Sequence, residues 1–333
     1  MKSRNAYGTG RAGSPLPAAH RRARSDAPYR DILADILAQK RHAIALMKQN
    51  HSTSGFRERA LEIRKTAVPH RLLEALKSDS QRLNIIAEFK RRSPSAGIIR
   101  DDVSAAEVAR YYERGGACAI SVLTDEEYFG GSILDLSAIR TSTKLPLLRK
   151  DFIIDSIQLY ETAIAGADAA LLIAAALDDT DLSKLCAIAE DELGIDAVVE
   201  VHTPEELHRA VRASARIIGV NNRNLRTFQT SLETSERLIA EAPRDRVMIS
   251  ESGLTSAKSL RHLQSLGFRG FLMGEVLMRS SDPEKFLRDL LVESEDQRAA
   301  QPGCSHRPVA GSRTSSTAHS AVATAQSHDA DKN

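Results

Sequence analysis

Six residues stand where short apolar runs give way to polar ones, and their types suit proton transfer. Glu88 and Lys90 close the run IIAEFK, Lys150 closes LPLLRK, Glu200 stands in VVEV, Asn221 in IGVNN and Glu251 in MISES. Carboxylates and ammonium groups gathered in one site perform general acid–base chemistry, and an amide orients them. Glu88 and Lys90 are two residues apart, so on a strand they share a face. Taken singly, each ion reads equally well as a salt bridge at the rim of a fold. Taken together inside one enclosure, they are costly unless paired, and such clusters shift pKa values toward catalytic use.

A second group of residues points to an anion. Glu251-Ser252-Gly253 and Met273-Gly274-Glu275 each close an apolar run and lead into a helical pattern. Glycine lets backbone N–H groups approach a phosphate, and a helix start adds a favourable dipole. Glu275 is expected to serve through its backbone, with its carboxylate turned away from the anion. The alternative is that both glycines are plain turn residues. His202 resembles a metal ligand, but no second histidine or HExxH motif accompanies it, so no metal site is expected. Tyr111 and Tyr112 read as packing groups of an amphipathic helix.

These residues must be positioned by the elements that carry them. Eight β-rich runs recur: 85–90, 118–124, 145–152, 169–175, 196–201, 217–222, 247–252 and 270–275. Their starts lie roughly 20 to 35 residues apart, the length that a parallel pair with a crossover helix requires. Helical patterns span 104–114, 156–165, 181–192, 203–213, 231–241 and 255–266, with Ser, Thr or Asp before many of them and Gly after several. Eight βα units imply an α/β fold, a (β/α)8 TIM barrel, whose reactive groups lie at the carboxyl ends of the strands. The phosphate candidates then follow strands seven and eight, where many barrels hold phosphate. DILADILAQKRHAIALMKQ has helical apolar spacing ahead of the first strand. Residues 31–80 are therefore expected to be a helical extension within a catalytic domain of residues 31–295.

The chain has 333 residues and 42% hydrophobic content, enough for a sizeable core. Residues 1–30 carry seven Lys/Arg and one acid, whereas residues 31–295 hold 35 bases against 40 acids. With a formal charge of +2 overall, no broad positive field is available for nucleic acid or an anionic membrane. Residues 1–30, basic and interrupted by Gly and Pro, read as a disordered extension more readily than a transit peptide. Residues 296–333 read as a disordered low-complexity tail, since 300–333 contain no aromatic residue and only two Val among the large aliphatics. Cys118, Cys186 and Cys304 form no C-x-x-C pair, which argues against a disulfide framework and fits a cytoplasmic protein. The longest apolar run, Ala169 to Leu177, is half a bilayer span.

The ordered motifs IIAEFKRRSPSAGIIR, ISVLTDEEYFGGS, LLRKDFIID, VVEVHT, IGVNNRNL, ISESGL and FLMGE resemble the indole-3-glycerol phosphate synthase family over roughly residues 31–292. The 31–49 segment is similar to that family's amino-terminal helical extension, which borders the substrate. The resemblance implies ring closure, decarboxylation and dehydration of 1-(2-carboxyphenylamino)-1-deoxyribulose 5-phosphate, with no cofactor. It implies a monomer or weak homo-oligomer with no nucleic-acid or membrane partner.

By the same resemblance, Lys150 is the general acid of ring closure, and Glu200 a general acid or base of dehydration. Lys90 holds the substrate carboxylate and shares proton transfer, while Glu88 and Asn221 orient these groups. Arg223 assists with the carboxylate, and Glu251 contacts sugar hydroxyls or Lys90. Phe152 and Leu225 border the substrate with Ser93, and Ser252, Gly253, Gly274 and Glu275 bind phosphate. Asn224 stands where the family commonly has Asp, and Glu275 where Ser is frequent. Two other readings stay open: a Schiff-base aldolase using a strand-end lysine, and a nucleic-acid protein using the basic run His20 to Arg24, which has no interleaved aromatic.

Overall fold

A computed structural model describes residues 32–299, except Ser80, Leu225 and Arg226. The expectations for residues 1–30 and for 300–333 lie outside the described residues; residues 296–299 continue the last helix.

Eight parallel strands close into a barrel: β1 (Ile85–Phe89), β2 (Ala119–Leu123), β3 (Leu147–Lys150), β4 (Ala169–Ile173), β5 (Asp196–Val201), β6 (Ile217–Asn221), β7 (Val247–Glu251) and β8 (Gly270–Met273). β8 pairs back onto β1 with Phe271 opposite Ile85, so no edge is left open. The expected (β/α)8 barrel is present, and every predicted run contains its strand. Ahead of it lie α1 (Ile32–Asn50), α2 (Thr53–Arg64) and α3 (Arg71–Lys77). The crossover helices are α4 (Ala105–Gly115), α5 (Ile133–Ser142), α6 (Ser156–Ile164), α7 (Asp179–Ala187), α8 (Pro204–Arg212), α9 (Glu233–Glu241) and α10 (Ala257–Leu266). α11 (Glu275–Arg279) and α12 (Pro283–Ala299) follow β8. α7 starts two residues before the predicted segment and runs into a π-helical turn over Ile188–Glu192. α5 is a helix that the sequence pattern does not predict.

The strand period of two sorts the side chains. Outward residues such as Ile85, Ala87 and Phe89 pack with the helices in the larger core. Inward residues form a second core inside the barrel, including Ile86, Leu148, Val198, Ile217, Ile249 and Leu272. Its floor is α3, whose Leu72, Leu73 and Leu76 belong to the same cluster. Asp196 fixes that floor, because one carboxylate oxygen accepts the backbone N–H groups of Leu72 and Leu73 at 2.9 and 3.0 Å, near the positive end of the helix. One step further along the same inward face the apolar layer ends. Glu88, Lys150, Glu200 and Glu251 follow, so the barrel is greasy below and charged above.

α1 is fastened to the charged end. Lys40 reaches Asp125 at 2.9 Å and Asp151 at 2.7 Å, and both carboxylates are almost wholly buried. Lys48 meets Asp155 at 2.5 Å further along the helix. Asp151 also takes Arg149 at 3.1 Å, and it directly follows Lys150, so the extension is tied to the strand end that carries that lysine.

Candidate active site

Lys150 ends β3 with its ammonium between two carboxylates, 2.9 Å from Glu200 Oε2 and 3.2 Å from Glu251 Oε2. Lys90 pairs separately with Glu88 at 2.7 Å. Glu251 therefore lies against Lys150, where the sequence reading offered the sugar hydroxyls or Lys90. Burial disfavours the Lys150 ammonium, but Glu200, Glu251 and Glu88 outweigh it and hold the lysine above its ordinary value. Glu200 is held below the usual carboxylate range: burial opposes its charge, and Lys150, His202 and a hydrogen bond from Asn221 overcome that opposition. Glu251 goes the other way. Burial raises it to about 7, and the nearby Glu200 and Glu88 add to the effect against the pull of Lys150. Two carboxylates on one lysine are thus pushed apart in acidity, the pattern that separates acid from base roles.

Asn221 is oriented by its own chain. Its Oδ1 accepts the Arg223 backbone N–H at 3.0 Å, which leaves the amide nitrogen to face Glu200. Arg223 in turn donates to Ser95 Oγ at 3.1 Å, linking the β6 loop to the loop after β1. In that first loop Ser93 Oγ accepts the Ala96 N–H at 3.2 Å, closing a two-residue hairpin of Arg92–Ser93 with Gly97–Ile98. Asn222, which the sequence reading passed over, is buried and donates to Ser250 Oγ at 3.0 Å and Ser252 O at 3.1 Å. It holds β6 to the end of β7.

These groups line a cavity of about 460 Å³ at the carboxyl ends of the strands. Glu88, Lys90, Ser93, Lys150, Phe152, Glu200, Asn221, Arg223, Glu251, Ser252, Gly253, Gly274 and Glu275 all border it. Leu225 lies outside the described residues. The cavity has further walls that the sequence reading did not single out: Ile32, Leu33 and Ile36 of α1, and Phe129, whose ring centroid is 6.1 Å from that of Phe152. Apolar side chains and two aromatic rings packed against each other thus line the same cavity as the charged groups. Ser252 takes a positive φ of 68° and Gly253 one of 77°, so the turn after β7 is bent sharply toward the cavity. Glu275 Oε1 accepts from Arg279 Nε at 3.0 Å, which keeps the carboxylate occupied along its own helix. Asn224 caps its loop by accepting the Thr227 N–H on Oδ1 at 3.0 Å. Among the described residues, no group of three or more His, Cys, Asp or Glu side chains gathers as a metal site, and no helix is long and apolar enough to cross a membrane.

Comparison with known proteins bears directly on this cavity. Residues 33–290 match the family model described as indole-3-glycerol phosphate synthase. An indole-3-glycerol phosphate synthase of Bacteroides thetaiotaomicron is 44% identical over 262 residues, covering 79% of this chain and 98% of that protein. One of Acidithiobacillus ferrooxidans is 41% identical over 265 residues, 79% of this chain and 99% of its own length. One of Campylobacter jejuni is 46% identical over 223 residues, 67% and 86% of the two chains. The chain therefore belongs to the indole-3-glycerol phosphate synthase family, whose members are lyases of tryptophan biosynthesis acting on a phosphorylated small molecule.

Proposed function

We propose that the cavity carries out the family's reaction with Lys150 as the proton donor of ring closure. The observation that carries this reading is the Lys150 ammonium, held protonated at the cavity floor by Glu200 and Glu251. As the anthranilate ring carbon attacks the ribulose carbonyl, the oxygen gains negative charge and needs a proton within reach. A Schiff-base aldolase needs the opposite, a neutral amine with a lowered pKa. Two flanking carboxylates therefore favour acid catalysis over imine formation.

The remaining roles follow from position. Loss of CO₂ restores electrons to the ring, and dehydration then removes a hydroxyl and a proton. Glu200 serves the departing hydroxyl, and Lys90, paired with Glu88, holds the substrate carboxylate and takes part in proton transfer. Asn221 keeps Glu200 oriented, Arg223 supports the carboxylate end, and Glu251 sets the charge and direction of Lys150. Phe152 and Phe129 receive the aromatic ring, with Leu225 expected nearby. The phosphate falls to the backbone N–H groups around Ser252, Gly253, Gly274 and Glu275, with Ser93 in the facing loop. We read the enzyme as a cytoplasmic monomer or weak homo-oligomer, in keeping with the free Cys118 and Cys186 among the described residues and the modest net charge.

Lys150→Met tests the central assignment, since Met matches the length of lysine without its charge or proton. Turnover, followed by indole fluorescence on the carboxyphenylamino deoxyribulose phosphate, should fall by about 10² to 10⁴. Affinity for a reduced, unreactive substrate analogue should change far less. Turnover within about tenfold of the parent would move the role to Lys90.

A further inference from the structure

Beside Glu200 lies a buried imidazole to which the reading above gives no task. His202, the first residue after β5, is 14% exposed at its side chain. Its Nε2 stands 3.6 Å from Glu200 Oε1, and its Nδ1 stands 3.4 Å from Glu206 Oε2. Both ring nitrogens are buried and neither makes a formed hydrogen bond. Glu206 sits in the first turn of α8, where its carboxylate accepts the His202 backbone N–H at 2.7 Å. Its side chain is 17% exposed, so this end of the row reaches solvent. Glu206, His202, Glu200 and Lys150 thus form one file from the outside of the barrel to the cavity floor.

We propose that His202 is the proton reservoir of Glu200, a positioning residue that reloads the carboxylate from solvent by way of Glu206. The proposal rests on the assignment of Glu200 to the dehydration step. That step needs a proton on the departing hydroxyl, yet Glu200 is held ionised by Lys150, His202 and Asn221 despite its burial. Something adjacent must supply the proton. The groups facing the imidazole are Glu200 of β5, Glu206 of α8 and Glu251 of β7, all acidic, with Lys150 beyond Glu200. Burial works against a charged imidazole, but these three carboxylates together hold it above its ordinary value.

The protons balance. The His202 imidazolium first gives its Nε2 proton to Glu200 Oε1, and Glu200 hands it to the leaving hydroxyl, which departs as water when the carbon–oxygen bond breaks. The substrate's neighbouring C–H bond supplies the electron pair of the new double bond, and its proton goes to the site's base, which releases it to solvent. The neutral ring, which keeps its Nδ1 proton, then turns over so that its bare nitrogen meets Glu206, and a proton taken up from solvent there restores the imidazolium. The net release is one water.

His202→Gln keeps a polar side chain that cannot carry a proton, and it separates this role from packing. In the full-length parent, the single-turnover rate of indole appearance should fall as pH rises through the histidine's elevated pKa. In the variant, that alkaline limb should vanish and the rate at neutral pH should drop about 10- to 100-fold, with substrate affinity within about threefold. A rate within threefold of the parent with the limb retained would overturn the proposal, as would equal losses in rate and affinity with an unchanged pH profile. Should the variant fold poorly, NMR titration of the parent decides: the His202 ring should titrate above the ordinary histidine value and move down in Glu206→Gln. A ring neutral throughout refutes the reservoir. Glu200→Gln in the same assay distinguishes the two levels. If it stays active, the assignment of Glu200 falls and the reservoir with it; if it is inactive while His202→Gln behaves as the parent, only the reservoir falls.

Discussion

Two of the site's carboxylates stand where they do because the residue facing each has no side chain. A Cβ on Gly219 would sit 2.2 Å from Glu251 Oε1, and one on Gly274 would sit 2.4 Å from Glu88 Oε1. Gly219→Ala should therefore push Glu251 off Lys150 and lower kcat by about 10², the cost of misplacing a catalytic group by about an ångström. Circular dichroism that matches the parent, together with steady-state kinetics, checks it; an unchanged kcat would show that Glu251 is dispensable. Gly253 answers a different need. Its φ is 77°, and an added Cβ would meet Thr230 Cγ2 at 2.6 Å, so Gly253→Val should raise KM by blocking the backbone from the anion. Inorganic phosphate should compete with substrate in the parent. The proton-bearing residues were legible because strand alternation places Glu88 with Lys90, and charges at strand ends have one natural destination. Gly219 was not legible: its purpose depends on the register that sets β7 beside β6, which local spacing does not encode.

At the scale of elements, the extension works through one buried ion group. Lys40 is held above its ordinary value because Asp151 and Asp125 outweigh the burial that opposes its charge. Removing it leaves the two acids without their shared cation, so Lys40→Met should destabilise the protein by about 3 kcal/mol, the usual cost of breaking a buried pair. It should also raise KM, since α1 brings Ile32, Leu33 and Ile36 to the cavity. Calorimetry beside kinetics would read both effects. Acid should act on the same joint. Despite its burial, Arg149 and Lys40 pull Asp151 down to about 2 from an ordinary 3.8, so its contribution is complete above pH 4 or so and is lost as pH falls toward about 2. Hydrogen exchange of α1 should report loosening in that window. The eight strands were plain in sequence as short β-rich runs at regular spacing. α5 was not, because Leu134 in its first turn is 74% exposed and blurs the apolar stripe that marks an amphipathic helix. The apolar face of α1 showed that it packs. That it borders the substrate was an expectation from the family resemblance; what sequence did not show is how it is held there, by Lys40, whose partners are about 85 and 111 residues away in the chain.

The described residues, 32–299, form a closed barrel with a floor, a charged mouth and a fastened extension. The family match covers 33–290, so a protein of residues 32–299 should keep the parent's kcat, KM and thermal midpoint. Loss of turnover in that well-folded truncation would assign a catalytic part to the segments removed. The floor has a consequence for the order of assembly. α3 is made before any strand, yet the carboxylate that caps it belongs to Asp196, 124 residues downstream of Leu72. At synthesis rates of about 5 to 20 residues per second, roughly 6 to 25 seconds separate the helix from its cap. Throughout that interval Leu72, Leu73 and Leu76 have no barrel to enter, and the nascent chain carries an uncovered greasy turn. β5 supplies the cap, but closure waits for β8, which pairs back onto β1, so the vulnerable period for aggregation or chaperone capture runs on past β5 until the last strand emerges and the floor is seated.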